Sequence, residues 1–258
     1  MKGFACALVL LALAVPASLA RADGRYFVGT YLSHVDSAGH RELELWSTAF
    51  PGQGDSTNTD WENRAEIEYA VTNRLTGSIY LNYAQSGAPE APQRFEGPSL
   101  ELIYALAEPG RIPLDPAAYL EVRENGDELE LEPKLLLSGR MDRWVGAANV
   151  IGEFEWHHRN VEGEPETRKS LAFAAGLSRE VGGWLAVGLE GRYLRESPET
   201  GEDPAALFVG PTINFQADEI GIAVGWQPQL WGSPQSTSSL NLADFPRSEV
   251  RMILSVDL

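Results

Sequence analysis

The feature of this sequence that most constrains its fold is a strict alternation of apolar and polar residues over segments of about ten positions. Residues 250–258 show it well, because valine, methionine and leucine side chains are separated by arginine, serine and aspartate. Residues 128–138 repeat the pattern as leucines between glutamates, and residues 64–71 repeat it again. Successive side chains of a strand point to opposite faces, so this period predicts strands with one apolar face.

We predict about twelve such strands, with boundaries good to roughly two to four residues. They cover residues 40–49, 60–72, 75–85, 94–107, 116–124, 128–138, 144–157, 168–180, 184–195, 206–215, 220–230 and 248–258. Strands of this number and length fit either a large sandwich or a closed barrel, and the connections between them distinguish the two.

The connections alternate in length. Long polar ones, such as residues 50–59 and 231–247, follow odd-numbered strands, and tight ones, such as Thr72-Asn73-Arg74, follow even-numbered strands. Two connections depart from the rule: residues 125–127 are short where a long loop is expected, and residues 108–115 are long where a turn is expected. Short turns at one end and long loops at the other are typical of outer-membrane barrels.

Aromatic residues near the strand ends also suit a barrel, because tyrosine and tryptophan favour the membrane interfaces. These aromatic residues are Trp61, Tyr83, Trp144, Trp156, Trp184, Tyr193, Phe215 and Trp226. The predicted fold is therefore all-β: a closed antiparallel transmembrane β-barrel of about twelve strands, with short periplasmic turns and longer extracellular loops. A soluble secreted sandwich is the alternative, in which the apolar face would fill a core.

The first residues predict the compartment. Lys2 precedes an apolar run at residues 4–15, and a small-residue cleavage site, Ala20-Arg21-Ala22, follows. We interpret residues 1–22 as a secretory signal peptide, residues 23–39 as an N-terminal extension or plug, and residues 40–258 as the outer-membrane barrel. A periplasmic extension or an extra strand stays open for residues 23–39. The predicted location is the outer membrane of a Gram-negative bacterium.

Composition excludes several classes. The chain has 37 acidic and 20 basic residues and a formal net charge of −17, so nucleic acid is excluded as a partner. After residue 22 no run approaches the roughly 20 apolar residues of a membrane helix. The one cysteine, Cys6, lies in the predicted signal peptide, which leaves no disulfide in the mature chain.

If the apolar faces contact lipid, the alternation directs a set of charged side chains into the barrel. The predicted interior charge network comprises Glu42, Glu44, Arg64, Glu66, Glu68, Glu101, Glu121, Arg123, Glu130, Glu132, Lys134, Glu153, Glu190 and Arg192. Carboxylates exceed bases in this set, which favours a cation-preferring aqueous pathway. The same side chains could instead bond to one another and fill the barrel as a plugged structural component. Both interpretations stay open.

Catalytic and metal-binding patterns are scarce. The neighbours His157 and His158 point to opposite faces of a strand and cannot easily share one ion. No HExxH spacing, serine-hydrolase elbow or phosphate-binding glycine loop occurs, and Ser170 is the one serine that could approach His157. We therefore predict no catalytic residue, no metal site and no cofactor, with a lipid-modifying barrel enzyme as an alternative.

Two stretches carry a resemblance to a known group. Residues 39–46 (GHRELELW) and 63–75 (NRAEIEYAVTNRL) resemble the start of uncharacterised Gram-negative outer-membrane barrels. There, a strand with a G-basic-x-E-x-E-x-W pattern precedes a strand with spaced glutamates and a Thr-Asn/Asp-Arg-Leu turn. The sequence is similar in style to the transporter barrels associated with phenol-degradation pathways. The residues on motif positions are Glu42, Glu44, Trp46, Arg64, Glu66 and Glu68.

The resemblance implies a barrel of unknown cargo. Together with the acidic interior, it predicts a passive channel or transporter for small solutes or cations. The expected partners are outer-membrane lipid, the barrel assembly machinery and small cations or solutes.

Overall fold

The computed structural model describes residues 25–52, 58–88, 90–158, 166–199 and 201–258. The predicted signal peptide lies outside them. The described residues form twelve strands. They are β1 (Arg41–Pro51), β2 (Thr59–Thr72), β3 (Leu75–Gln85), β4 (Arg94–Ala105), β5 (Ala117–Glu124), β6 (Glu128–Met141), β7 (Trp144–His157), β8 (Glu166–Glu180), β9 (Leu185–Pro198), β10 (Ala205–Ala217), β11 (Ile220–Ser233) and β12 (Ser248–Asp257). No helix in the described ranges is long and apolar enough to cross a membrane.

The strands form one closed antiparallel barrel. Each strand pairs with its neighbours in sequence, and β1 pairs with β12 from Glu42 opposite Asp257 to Ala49 opposite Val250. Closure gives both edge strands a partner, so the barrel has no unpaired sheet edge. The predicted fold class and strand set are confirmed, and a sandwich does not describe this chain.

The outer face of the barrel is apolar. Leu100 and Ile67 are among its most exposed side chains, at 60% and 59% of their full accessible surface, while their strand neighbours Glu101 and Glu66 are buried. A continuous exposed apolar band is rare on soluble proteins and typical of a surface that contacts lipid. The alternation seen in the sequence therefore separates the lipid face from the interior.

The two ends of the barrel differ. We call the end that carries the connections β2–β3, β6–β7, β8–β9 and β10–β11 the turn end, and the opposite end the loop end. The predicted short loop at residues 125–127 is explained by Asn125, whose side-chain oxygen accepts hydrogen bonds from the amides of Asp127 (3.0 Å) and Glu128 (2.9 Å). Such an Asx turn needs few residues. The long connection at the turn end spans residues 106–116.

The lipid face makes the first testable prediction. Leu100→Arg places a charge near the middle of β4 and should lower the free energy of unfolding by about 2–4 kcal/mol. The matched control, Leu114→Arg, changes an equally exposed leucine in the connection 106–116 and should have an effect within about 0.5 kcal/mol. Denaturant titration of both variants in lipid vesicles measures the difference. Equal effects would contradict a lipid-facing position for Leu100.

Candidate functional site

Residues 25–36, the inner segment, lie inside the barrel and form no strand. The segment starts near the turn end, where the Tyr26 hydroxyl donates to Glu180 at 2.6 Å and accepts from Arg140 at 2.7 Å. It returns toward the same end at Ser33, whose hydroxyl lies 2.6 Å from that of Ser138 on β6. The chain therefore enters the barrel, reverses inside it and leaves by the same end before β1 begins.

Glu190 of β9 holds the deepest part of this loop. Its buried carboxylate accepts hydrogen bonds from the amides of Val28 (3.1 Å) and Gly29 (2.9 Å) and from the hydroxyl of Thr30 (2.7 Å). Hydrogen bonds to a carboxylate are roughly twice as strong as neutral ones. One side chain thus satisfies consecutive donors that would otherwise be unpaired inside the barrel.

Asn149 of β7 and Arg251 of β12 complete the attachment. The Asn149 amide accepts from the backbone N–H of Tyr31 at 2.7 Å and donates to its carbonyl at 2.9 Å, as a neighbouring strand would. Arg251 donates to the carbonyl of Val28 at 2.9 Å. Strands on several sides of the barrel therefore fix the depth of the segment.

Two inward glycines make room for the segment. A Cβ atom at Gly176 would lie 2.4 Å from the ring of Phe27, and one at Gly225 would lie 2.4 Å from a methyl group of Val28. A larger residue at either position would have to displace the segment or the strand, so glycine here permits close approach.

Gly176→Ala should therefore loosen the inner segment while leaving the barrel closed. Overpacking of this kind costs about 1–3 kcal/mol, so amide hydrogen exchange at Val28, Gly29 and Tyr31 should accelerate by roughly 10–100-fold. Gly146→Ala is the control, because its Cβ would meet nothing closer than 3.8 Å. Unchanged exchange in Gly176→Ala would contradict the contact with Phe27.

Tyr31 lies at the centre of the interior. Its ring stacks on Trp46 at a centroid distance of 6.3 Å and meets the edge of Tyr119 at 5.1 Å. The guanidinium of Arg25 lies 4.7 Å and the ammonium of Lys134 lies 4.3 Å from the same ring. Burial raises the pKa of Tyr31 to about 12, so its hydroxyl is neutral at physiological pH. The neutral ring of Tyr31 therefore interacts with two cations, Arg25 and Lys134, as well as with two other aromatic rings.

Cavities lie on both sides of the inner segment. Toward the loop end, one of about 490 Å³ extends from Gly29 and Tyr31 to Arg94, and one of about 590 Å³ shares Glu153 and Glu155 with it. Toward the turn end, cavities of about 80 and 270 Å³ contact residues 25–35. Tyr31 lines both the 490 Å³ and the 80 Å³ cavity, so its side chain stands between the two halves of the interior.

The structure places the residues of the predicted charge network on the inner face. Several form ion pairs across neighbouring strands or with nearby inward side chains. These pairs are Arg25 with Glu44 at 2.7 Å, Arg64 with Glu121 at 3.4 Å, Arg123 with Glu128 at 3.0 Å and with Glu130, Lys134 with Glu132 at 2.7 Å, and Arg192 with Glu249. Glu190 instead binds the inner segment.

Other members of the network have no basic partner. Within the described ranges, no lysine or arginine forms an ion pair with Glu66, Glu68, Glu101 or Glu153. Glu42, which lies near the turn end, is 3.8 Å from His40 and within hydrogen-bonding reach of Glu44 and Ser255.

Several interior residues lie outside the predicted charge network. Glu249 lies two positions before Arg251 on β12, so its side chain points to the same face of the strand. The alternation of the sequence could therefore have identified Glu249. Leu136 and Ile253 are buried beside Tyr31 at positions where alternation requires a polar residue, and the unbroken apolar runs around them were a usable signal. Arg25 follows no strand pattern, and only the structure reveals its contact with Glu44.

The histidines and Ser170 are not brought together as a catalytic group. His157 lies 3.4 Å from Glu128 and 3.1 Å from Glu155, at the loop end. Ser170 pairs with Glu153, four positions from His157 along β7, which is about 13 Å. The described part of the chain therefore contains no pairing of Ser170 with His157.

A closed antiparallel barrel with an apolar outer face, a polar interior and unequal ends has the fold of outer-membrane barrels. Residues 135–258, slightly less than half of the chain, match the model of a family described as a family of unknown function (DUF6662). No curated protein sequence matches the chain significantly.

Three solved structures illustrate the likeness in fold. The COG4313 outer membrane channel from Pseudomonas putida F1 has a TM-score of 0.63 at 8% identity, covering 88% of this chain and 98% of that one. The NanC porin has a TM-score of 0.57 at 9% identity, with 84% and 98% covered. The KdgM porin has a TM-score of 0.53 at 9% identity, with 84% and 99% covered. These matches fit an uncharacterised outer-membrane barrel family, while the link to phenol degradation stays a prediction.

Proposed function

We propose that this protein is a passive channel of the outer membrane for small solutes, with a preference for cations and its narrowest point at the inner segment. The observation that carries the proposal is that polar cavities lie on both sides of Tyr31 and that this one side chain lines both. The pathway would run from the loop end, past Tyr31 and Arg25, to the turn end.

The distribution of charge supports a preference for cations. The 590 Å³ cavity is lined by more acidic than basic side chains, and the 80 Å³ cavity has Asp36, Glu42, Glu44 and Glu68 against Arg25 alone. Carboxylates along a low-dielectric passage raise the local concentration of cations and repel anions. In the 490 Å³ cavity the two signs are nearly balanced, so the preference would arise mainly in the other two cavities.

We also propose a location and partners for the barrel. The protein would lie in the outer membrane of a Gram-negative bacterium, contact lipid through its apolar face and be inserted by the barrel assembly machinery. A lipid-modifying enzyme is less well supported, because Ser170 and His157 lie apart.

Planar-bilayer recording of the refolded protein in a salt gradient tests the proposal. We expect stepwise currents with a reversal potential of the sign for cations. Tyr31→Ala should increase the conductance, since it removes the side chain between the cavities. Tyr104→Ala, an outward tyrosine that is 44% exposed, should leave the conductance unchanged.

A double variant tests whether the loop-side carboxylates contribute to the preference for cations. Glu153→Gln combined with Glu155→Gln neutralises two carboxylates that line both loop-side cavities and should shift the reversal potential toward zero. Stable insertion without current in both the wild type and Tyr31→Ala would contradict a channel and favour a plugged structural barrel.

A further inference from the structure

Three glutamates on the inner face converge near the turn end, apart from the cavities on the loop side. Glu66 and Glu68 are two positions apart on β2, and Glu101 lies on β4. One carboxylate oxygen of each lies within 4.8 Å of the other two. The strand between them, β3, places Ser78 in register with both Glu68 and Glu101. We call Glu66, Glu68 and Glu101 the triple-glutamate cluster.

Glu66 is the member that the protein leaves unsatisfied. Its side chain is completely buried, and neither of its carboxylate oxygens has a hydrogen-bond partner. A buried carboxylate without a partner is strongly unfavourable. Two other carboxylates within a few ångströms make a charged Glu66 less favourable still, and either protonation or a bound cation would relieve this repulsion.

The nearest bases are already engaged elsewhere. Arg25 binds Glu44 through its Nε at 2.7 Å, and Arg64 reaches Glu121 at 3.4 Å. Within the described ranges, neither forms an ion pair with the triple-glutamate cluster.

Neutral oxygens complete the surroundings of Glu101. The buried Tyr80 hydroxyl donates to Glu101, and the Ser78 hydroxyl lies 3.5 Å from it. Thr76, the next inward residue of β3, has a buried hydroxyl with no partner. The donor set is therefore oxygen alone, as hard cations prefer.

We infer that the triple-glutamate cluster binds one Ca²⁺ ion. Calcium–oxygen distances of about 2.3–2.6 Å allow one ion to contact oxygens up to roughly 5 Å apart, which fits the spacing of the three carboxylates. Mg²⁺ loses its water reluctantly and requires a stricter octahedron, whereas the side chain of Glu66 is completely buried. The absence of nitrogen and sulfur donors among the three side chains argues against zinc or copper.

The ion would have a path and a structural role. Glu68 lines the turn-side cavity of about 80 Å³, which gives access from the turn end. Bound there, Ca²⁺ would join β2 to β4 across β3 and so stabilise the barrel wall. This role does not rest on the proposed channel function, because it requires no solute passage. It departs from the prediction, made from sequence, that the chain has no metal site.

The experiment uses the refolded barrel in detergent after removal of metals with EDTA. Elemental analysis after addition of CaCl₂ and gel filtration should find one calcium per chain. A Ca²⁺ concentration about 100 times the dissociation constant should raise the heat-unfolding midpoint by about 5–10 °C, and Mg²⁺ at the same concentration should raise it less. No bound calcium with an unchanged midpoint would overturn the inference, and an equal effect of Mg²⁺ would overturn the choice of Ca²⁺.

Variants locate the ion. Glu66→Gln should abolish both the bound calcium and the shift in midpoint, and Glu68→Gln gives the same test if Glu66→Gln does not fold. The matched control is Glu128→Gln, because Glu128 belongs to another acidic group, with Glu155 and His157, in which Arg123 and His157 already supply partners. Calcium retained by both cluster variants, or lost equally in Glu128→Gln, would overturn the assignment.

Discussion

The carboxylate of Glu190 is the contact on which the interior of this barrel depends. The interior of this twelve-stranded barrel contains the inner segment as well as inward side chains. The backbone N–H and C=O groups of a buried segment need hydrogen-bond partners. Glu190 accepts from three consecutive residues of the inner segment, and Asn149 adds a two-way pairing with Tyr31. The position of Tyr31, and with it the division of the interior into two halves, follows from these bonds.

The interior charges are arranged around this division. On the loop side of Tyr31, bases such as Arg123 and Lys134 lie close to carboxylates and pair with them. On the turn side, Arg25 is the one arginine or lysine among the described residues that line the 80 Å³ cavity, and it comes from the inner segment itself. A segment that supplies its own cation therefore does more than fill space: it neutralises Glu44 where the barrel wall does not.

The strands could be predicted from the sequence because lipid on one side and polar groups on the other impose a period of two along each strand. Boundaries differ by only a few residues, as for β11, predicted at 220–230 and observed at Ile220–Ser233. The same parity also directs residues such as Glu66 and Arg123 inward.

The inner segment could not be placed in this way. Its contacts join residues far apart in sequence, such as Tyr31 with Asn149 and Val28 with Arg251, and no local pattern encodes them. Inward apolar residues such as Leu136 pack against this segment, so they break the alternation for a reason that only the structure reveals. Among the described residues, the carboxylate oxygens of Glu66 lack hydrogen-bond partners because no basic side chain reaches them. The alternation predicts that Glu66 points inward, but it does not predict which bases lie near it.

The division of the interior depends on the inner segment lying inside the barrel, and a disulfide between the segment and the barrel wall tests that position. Ser33 and Ser138 have hydroxyl oxygens 2.6 Å apart, and the one cysteine of the chain, Cys6, lies in the predicted signal peptide. Ser33→Cys with Ser138→Cys in the refolded mature barrel should oxidise almost completely, as measured by mass spectrometry of the linked peptides. The pair Ser33→Cys with Ser99→Cys, on β4, should stay reduced. Reduced cysteines at 33 and 138 in a closed, heat-resistant barrel would show that the inner segment does not lie beside β6.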